Sequence, residues 1–437
     1  MTLLPARIMA ALLLSLAAAL PARAAIDIEE VTSPGGITAW LVEEPDIPFV
    51  ALELRFRGGA SLDAPGKRGA VNFMTGLLEE GAADMDAQQF AQAKEALAAS
   101  FSYDVGDDAL AVSARFLSEN RDEAIDLLRA SLVEPRFDTD AVERVRAQVL
   151  SGLASDRKDP DDIASRAFDR EVFGDHPYGT SYRGTAESVS ALTRDDLVAA
   201  HLATMARDRL YVAAVGDITP EELGPMLDRL LGDLPAEGAE MPGEAELSFD
   251  GETEVVPFAT PQSVAIFGQE GIDRDDEDFF AAYLLSTILG GGGFESRLMD
   301  EVREKRGLTY GVYAYLAAKD HADLYVGRVA SANDRIKEAV EVIRDQWRDL
   351  AENGVTAEEL EDAKTYLTGA YPLRFDGNGR IANILAGMQM DGMPIDYAAT
   401  RNDKVEAVTL DDVNRVAAEL LDPEALSFVI VGQPQGF

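Results

Sequence analysis

The sequence predicts an α+β fold made of two homologous repeats, each a mostly antiparallel sheet packed with helices. Three observations lead to this prediction: an internal repeat, short alternating strands mixed with longer amphipathic helices, and a segment rich in Pro, Gly and Glu that divides the chain. A chain of 437 residues is long enough for two or three domains. The repeat indicates two.

The internal repeat relates segments that lie about 216 residues apart. "ALTRDDLVAAH" (Ala191–His201) is echoed by "AVTLDDVNRVA" (Ala407–Ala417), and "VLSGL" at Val149 resembles "YLTGA" at Tyr366. A similar offset relates the strand-like "LYVAAVGD" to "SFVIVGQP". Each unit is therefore predicted to end with a helix, a second helix with acids in its first turn, and a buried strand closed by Val-Gly.

The two domains are predicted over residues 25–233 and 253–437. Between them "LPAEGAEMPGEAELSFDGE", residues 234–252, has no apolar periodicity and is interpreted as a linker. Within the units, "VALELRFRGG" (50–59) has the pattern of a strand and "DEAIDLLRASL" (122–132) that of an amphipathic helix. A duplicated pair of domains commonly holds a site in the cleft between its halves.

The first 24 residues have the features of a cleaved signal peptide. Arg7 provides a positive start, Ile8–Leu20 is apolar, and Ala22-Arg23-Ala24 is a small-x-small cleavage site. The apolar run is shorter than the about 20 residues that a bilayer span needs. We therefore expect an exported chain that starts near Ala25 and does not insert into a membrane after processing, with a retained anchor as the less favoured alternative.

The composition excludes several functions. The chain has 79 acidic and 39 basic residues and a net charge of −40, which argues against nucleic acid or anionic lipid as partners. Attraction of cationic peptides is one interpretation of this charge, and plain solubility or adaptation to salt is the one we favour. The absence of cysteine excludes disulfides, thiol catalysis and cysteine-ligated metals, and three histidines leave little other metal chemistry.

The segment "GAVNFMTGLLEEGA" (69–82) is predicted to form one helix that ends at a glycine. One stripe at helical spacing is apolar and fits a core: Ala70, Phe73, Met74 and Leu77. The opposite stripe is small and mostly uncharged, which is unusual for a face in water: Asn72, Thr75, Gly76 and Glu79.

A longer segment carries a family resemblance. "LGGGGFESRLMDEVREKRGLTYGVYAY" (Leu289–Tyr315) resembles the second-domain segment of the pitrilysin/insulinase-type zinc peptidases, in the branch that contains the mitochondrial processing peptidase. The duplication, the helix at Gly69 and "HPYG" at His176 occur in the order that this family has. The resemblance spans nearly the whole mature chain and implies two domains that form one half of a clamshell.

Active members of that family carry His-x-x-Glu-His on the first helix, where two histidines bind zinc and the glutamate activates water. The resemblance places Asn72, Thr75 and Gly76 at these positions, and none can replace its counterpart. The family's third ligand is a glutamate on a later helix, here "VERVRAQVLSGLAS", but no acid occurs between Glu143 and Asp156. We therefore expect that this chain binds no metal and that zinc belongs to a partner.

Arg303 and Tyr310, seven residues apart in "VREKRGLTY", are the candidate site residues that remain. In relatives, an arginine and a tyrosine at this spacing reach the zinc site and hold the substrate backbone. Arginine offers fixed donors to a peptide carbonyl, and a tyrosine hydroxyl can stabilise a developing oxyanion. The alternative is that Arg303 is only a charge on a helix surface and Tyr310 only an aromatic residue of a strand. The family context disfavours this alternative.

Other conspicuous residues are expected to be structural. The glycine run Gly290–Gly293 lacks the Lys-Ser/Thr of a phosphate loop, so a helix cap and close chain packing explain it better than substrate contact. The tyrosines of "GLTYGVYAYLA" are expected to pack rather than to line a chamber. His176, His201 and His321 have no metal-binding spacing and are interpreted as surface or structural residues.

The resemblance implies a zinc-lacking subunit of a heterodimeric periplasmic peptidase. In such two-chain enzymes a zinc-bearing homologous subunit pairs with a chain that carries the arginine and the tyrosine, and the two halves enclose an unfolded peptide. A peptide-binding or scaffolding protein without proteolytic role is the alternative. An independent hydrolase is disfavoured because there is no Gly-x-Ser-x-Gly elbow and no Ser-x-x-Lys at a helix start.

Overall fold

The computed structural model describes residues 26–437, so the signal peptide predicted over 1–24 lies outside the described residues. The described chain contains two sheets, each packed with helices, which confirms the α+β class. None of the helices in this part of the chain is long and apolar enough to cross a bilayer.

The first half contains a six-stranded sheet in the order β1-β2-β8-β3-β7-β6 and a separate two-residue hairpin, β4 with β5. The strands are β1 (Glu29–Thr32), β2 (Thr38–Glu43), β3 (Phe49–Arg57), β4 (Gly81–Ala82), β5 (Met85–Asp86), β6 (Ser100–Val105), β7 (Ala109–Leu117) and β8 (Leu210–Gly216). The helices are α1 (Ala70–Thr75), α2 (Ala87–Ala96), α3 (Arg121–Val133), α4 (Thr139–Asp156), α5 (Pro160–Phe173), α6 (Ala186–Ala191), α7 (Arg194–Thr204) and α8 (Pro220–Leu231).

The second half contains a five-stranded sheet in the order β11-β12-β10-β13-β9. Its strands are β9 (Thr253–Pro257), β10 (Gln262–Glu270), β11 (Thr309–Lys319), β12 (Ala322–Ala332) and β13 (Ser427–Gly432). Its helices are α9 (Phe279–Ser286), α10 (Ile336–Asn353), α11 (Ala357–Ala370), α12 (Asn378–Met390), α13 (Tyr397–Ala407) and α14 (Leu410–Leu420), with π-helical turns at Thr287–Gly291 and Met299–Glu304.

The two sheets have the same topology, which confirms the duplication. The order β2-β8-β3-β7-β6 in the first sheet corresponds strand by strand to β9-β13-β10-β12-β11 in the second. In both, the first pair is parallel, since β2 pairs with β8 and β9 with β13, and the other three pairs are antiparallel. Of the described strands in the first sheet, β1 alone has no counterpart in the second.

Each half covers one face of the other half's sheet with a helix. Helix α5 packs its Phe168 and Val172 with Leu324 and Val429 of the second sheet. Helix α12, at the matching place in the second repeat, packs Leu385 and its neighbours with Trp40 and Val215 of the first sheet. Because apolar residues of both halves share these two small cores, burial of apolar surface joins the domains.

The segment 234–252 contains no helix or strand. It nevertheless lies against the body of the protein, because the backbone N–H of Ala245 donates to the His321 carbonyl at 2.9 Å and that of Ser248 donates to the Val172 carbonyl at 3.0 Å. The Phe249 ring lies 6.3 Å from that of Phe168 on α5. These contacts hold the connection in place beside the second sheet.

Candidate functional site

The first turn of helix α1 is held by a buried acid, and the helix ends earlier than predicted. The carboxylate of Asp63 accepts hydrogen bonds from the backbone N–H groups of Gly69 (2.7 Å) and Val71 (2.8 Å), and burial raises the pKa of Asp63 to about 6. The prediction of one helix up to the glycine at residue 81 is wrong, since the helix ends at Thr75 and tighter turns follow. In those turns the N–H of Leu77 donates to the Met74 carbonyl three residues earlier.

The three degenerate motif positions do not fit zinc. Asn72 is half-buried, and the hydroxyl of Thr75 is buried and donates to the Val71 carbonyl at 2.8 Å. Gly76 has no side chain, and a Cβ atom placed on it would lie 3.2 Å from Cγ1 of Val145 on α4. Within residues 26–437 no group of three or more His, Asp or Glu side chains is arranged to hold a metal ion.

Helix α4, where the family places its third ligand, instead presents arginines and an aliphatic side chain to α1. The Arg146 guanidinium lies 5.2 Å from the centre of the Phe73 ring, and Arg144 forms an ion pair with Glu80. Both arginines are paired with carboxylates, since Arg146 also lies 3.3 Å from Glu143. Helix α4 therefore offers α1 packing and ion-pair contacts rather than a metal ligand.

Arg303 and Tyr310 lie on neighbouring elements and face solvent to different degrees. Arg303 belongs to the π-helical turn Met299–Glu304, and its guanidinium carbon lies 4.7 Å from the centre of the Phe294 ring. Its Nε is 3.4 Å from the carboxylate of Glu304. Tyr310, near the start of β11, is 87% exposed. Among the described residues, no hydrogen bond joins these two side chains to each other or to α1.

The tyrosines of β11 are exposed, so the prediction that they pack is wrong. Tyr313 and Tyr315 are 44% and 48% exposed, and their rings stack at 6.1 Å. β11 is an edge strand, and α5 lies mainly over β10 and β13. We call the exposed set the β11 surface: Phe294, Arg303, Tyr310, Tyr313 and Tyr315.

The glycine run closes α9, as the sequence predicts. The helix continues into the π-helical turn Thr287–Gly291, and a Cβ atom on Gly290 would stand 2.5 Å from the backbone nitrogen of Ala314 on β11. Gly293 has φ 64°, a conformation that favours glycine. Close packing explains Gly290, and a left-handed turn explains Gly293.

The three histidines divide into one core residue and an interface pair. His201 is buried, and its Nε2 is 2.7 Å from the Leu132 carbonyl, which fits a structural role. His176 and His321 come together with their rings 6.0 Å apart, and the Tyr178 ring lies 4.5 Å from that of His176. Sequence spacing could not reveal this pair, because each residue comes from a different domain.

The pair belongs to a polar contact between equivalent hairpins of the two domains. Nζ of Lys319, on the β11–β12 hairpin, lies 3.3 Å from Asp107 on the β6–β7 hairpin, and the backbone N–H of Asp320 donates to Asp108. The Tyr178 hydroxyl also donates to Asp108. Burial lowers the pKa of His176, which favours its neutral form there.

Comparison with known families assigns both halves. Residues 39–186 match the family described as "Insulinase (Peptidase family M16)", and residues 191–367 match the "Peptidase M16 inactive domain". The chain belongs to peptidase family M16. The M16 resemblance inferred from the sequence is thereby confirmed.

Individual M16 proteins are similar over nearly their full length. A non-peptidase homolog, YmxG, of Helicobacter pylori is 28% identical over 88% of this chain and 89% of its own. An uncharacterized zinc protease of Streptomyces coelicolor is 27% identical over 90% of this chain and 87% of its own. M16 sequences similar to this one thus include proteins named as peptidases and as non-peptidases.

Solved structures agree with the fold. A peptidase M16 inactive domain from Pseudomonas fluorescens is 29% identical, with a TM-score of 0.87 over 94% of this chain and 98% of that one. A protease from Helicobacter pylori shares the fold at a TM-score of 0.83 with 16% identity, over 93% of this chain and 99% of its own. The two-domain architecture is therefore that of M16 proteins.

Proposed function

We propose that this chain is the zinc-lacking subunit of a periplasmic metallopeptidase heterodimer. A zinc-bearing homologous subunit supplies the metal, and this chain contributes substrate binding and transition-state support through Arg303 and Tyr310. Unfolded peptides are the substrates, held between the two subunits.

The observation that carries this proposal is the contrast between α1 and the β11 surface. At the motif positions the Thr75 hydroxyl is already bonded and Gly76 has no side chain, so these residues supply no zinc ligand. Tyr310, by contrast, is 87% exposed and carries a hydroxyl that can donate to an oxyanion.

The surroundings of Arg303 also support a role in binding an extended peptide. The Phe294 ring lies under its guanidinium, which leaves N–H groups at the edge of the guanidinium available to donate to a peptide carbonyl. Tyr313 and Tyr315 extend the exposed aromatic area along the edge strand. Exposed aromatic rings beside an arginine are the composition that peptide-binding surfaces favour.

The test is reconstitution of the mature chain with a zinc-bearing M16 subunit from the same organism. Each chain alone and the mixture are assayed for zinc content and for cleavage of an unstructured peptide. We expect no stoichiometric zinc and no turnover from this chain alone, and turnover from the mixture. Zinc-dependent turnover by this chain alone would overturn the proposal.

Variants then test the roles of the two residues. Tyr310→Phe and Arg303→Ala are expected to lower kcat/KM of the mixture by about 10- to 1000-fold, as loss of a donor to a developing charge does. Tyr366→Phe, at a tyrosine that is 50% exposed and lies outside the β11 surface, is the control and should leave the rate unchanged. Equal rates for all these variants would instead favour a peptide-binding or scaffolding protein with no role in proteolysis.

A further inference from the structure

A cavity of about 350 Å³ lies where the two domains meet, between α9, β11 and the segment that contains α12 and α13. We propose that this cavity is a binding site for an organic carboxylate carried on an aromatic or flat apolar body. The proposal does not depend on the proposed peptidase partner. It is carried by the charges and rings that line the cavity.

Arg401 on α13 supplies a buried positive charge without a counter-charge. One nitrogen of its guanidinium donates to the Leu367 carbonyl and to the side-chain oxygen of Asn402, each at 3.0 Å. Within residues 26–437 no carboxylate lies at ion-pair distance from it. A buried charge of this kind is costly unless it is paired, and an incoming carboxylate would pair it.

Three further arginines line the same cavity. Arg55 reaches it from β3 of the first sheet; its Nη2 lies 3.8 Å from Glu53 on the same strand, and its Nε is buried with no hydrogen-bond partner. Arg374 is exposed and forms no ion pair in the described part of the chain. Arg274 has its Nε 3.6 Å from Asp391, which is the one carboxylate among the lining residues.

This concentration of positive charge runs against the rest of the molecule. The whole chain has about two acids for every base and a net charge of −40, yet the cavity is lined by four arginines and one aspartate. A cleft lined by one sign of charge raises the local concentration of the opposite ion. The cavity therefore selects anions on a protein that repels them elsewhere.

Aromatic walls set the shape of the ligand that would fit. The Arg401 guanidinium lies 4.7 Å from the centre of the Tyr371 ring and 5.4 Å from that of Tyr283. The rings of Phe279 and Tyr283 are nearly parallel, with 9° between their planes at 6.1 Å. A volume of about 350 Å³ is near the lower end of small-molecule sites, which bury apolar bodies and use few polar groups for orientation.

The same chemistry occurs in two sources, a free aryl carboxylate and the carboxyl terminus of a peptide that ends in an aromatic residue. Titration calorimetry on the whole mature chain would compare 3-phenylpropionate, a peptide ending in phenylalanine, the same peptide as its C-terminal amide, and 3-phenylpropanol. We expect one site per chain for at least one of the two carboxylates. The amide and the alcohol should bind at least about tenfold more weakly, since each lacks the charge that the arginines recognise.

Variants locate the site. Arg374→Gln, at an exposed residue whose loss should not affect folding, is expected to weaken binding about fivefold or more, and Arg401→Gln more strongly. Arg380→Gln, at an exposed arginine on α12 that does not line the cavity, is the matched control and should bind as the wild type does. Three outcomes would each overturn the proposal. Neither carboxylate binds at 10 mM, the neutral analogues bind as tightly as the carboxylates, or Arg374→Gln and Arg380→Gln change the affinity equally.

Discussion

Cγ1 of Val145 lies 3.2 Å from the place that a Cβ atom would take on Gly76. At the family's second histidine position, α1 therefore meets an aliphatic side chain of α4. The neighbouring motif position is also filled, because the Thr75 hydroxyl is buried and bonded to the Val71 carbonyl. These positions thus supply no zinc ligand, and a side chain at Gly76 would require Val145 to shift.

Restoring the three motif residues is expected not to restore zinc binding. In the variant Asn72→His/Thr75→Glu/Gly76→His, the new glutamate replaces a buried threonine, and the new histidine crowds Val145. We expect the free energy of unfolding to fall by at least about 2 kcal/mol. Zinc measured by mass spectrometry after dialysis should stay far below one ion per chain. Asn72→His alone, at a half-buried position, is the control for folding, and stoichiometric zinc in the triple variant would contradict this prediction.

Because each domain packs a helix against the sheet of the other domain, the two domains should unfold together. Leu385 on α12 is fully buried against the first sheet, so Leu385→Ala should lower the free energy of unfolding by about 2–5 kcal/mol. Leu373→Ala is the matched control, because Leu373 is 75% exposed and should change stability by no more than about 0.5 kcal/mol.

The two tryptophans of the chain report on the two halves separately in a urea titration. Trp40 lies on the first sheet and Trp347 on α10 of the second half. Each single-tryptophan variant, made by Trp40→Phe or Trp347→Phe, has its own midpoint, and Leu385→Ala should shift both midpoints equally. A shift confined to the Trp40 signal would show that the first half unfolds independently.

Features set by local pattern could be predicted from the sequence, and features set by distant contacts could not. The repeat and the alternating strands predict the duplicated α+β fold, because periodicity and offset are properties of short segments. The exposure of Tyr313 depends on β11 lying at the sheet edge, which its own sequence does not reveal. The cavity escapes sequence analysis for a similar reason, since Arg55 and Arg401 come from opposite halves of the chain. The early end of α1 reflects tight turns after Gly76, where helical periodicity continues in the sequence without helical hydrogen bonds.

Asp169 on α5 should make stability depend on pH. Its pKa is raised to about 7, chiefly by burial and in smaller part by Asp107, against the lowering effect of the nearby charges of Lys319 and Arg68. Because the folded state then binds a proton more tightly than the unfolded state, this group stabilises the fold at low pH. That contribution is lost as the pH rises from about 4 through about 7, with a slope of at most ~1.4 kcal/mol per pH unit.

The comparison that isolates this effect is wild type against Asp169→Asn in urea titrations from pH 4 to pH 8. The stability of the wild type should fall relative to that of Asp169→Asn as the pH rises. Asp196→Asn is the control, since its hydrogen bond to Lys67 lowers the pKa of Asp196, so its proton is lost below this range. Parallel curves for wild type and Asp169→Asn would refute the assignment.

Phe294 should matter for peptide binding and not for folding. Its ring is 70% exposed and lies 4.7 Å from the guanidinium carbon of Arg303. Phe294→Ala removes this support, so Arg303 samples more rotamers and must lose more conformational entropy when it binds a peptide carbonyl. We expect the KM of the reconstituted pair to rise about two- to tenfold, while the free energy of unfolding changes by no more than about 0.5 kcal/mol. Phe294→Leu keeps an apolar contact without the ring and should give an intermediate KM, whereas an unchanged KM in both variants would show that the ring does not position Arg303.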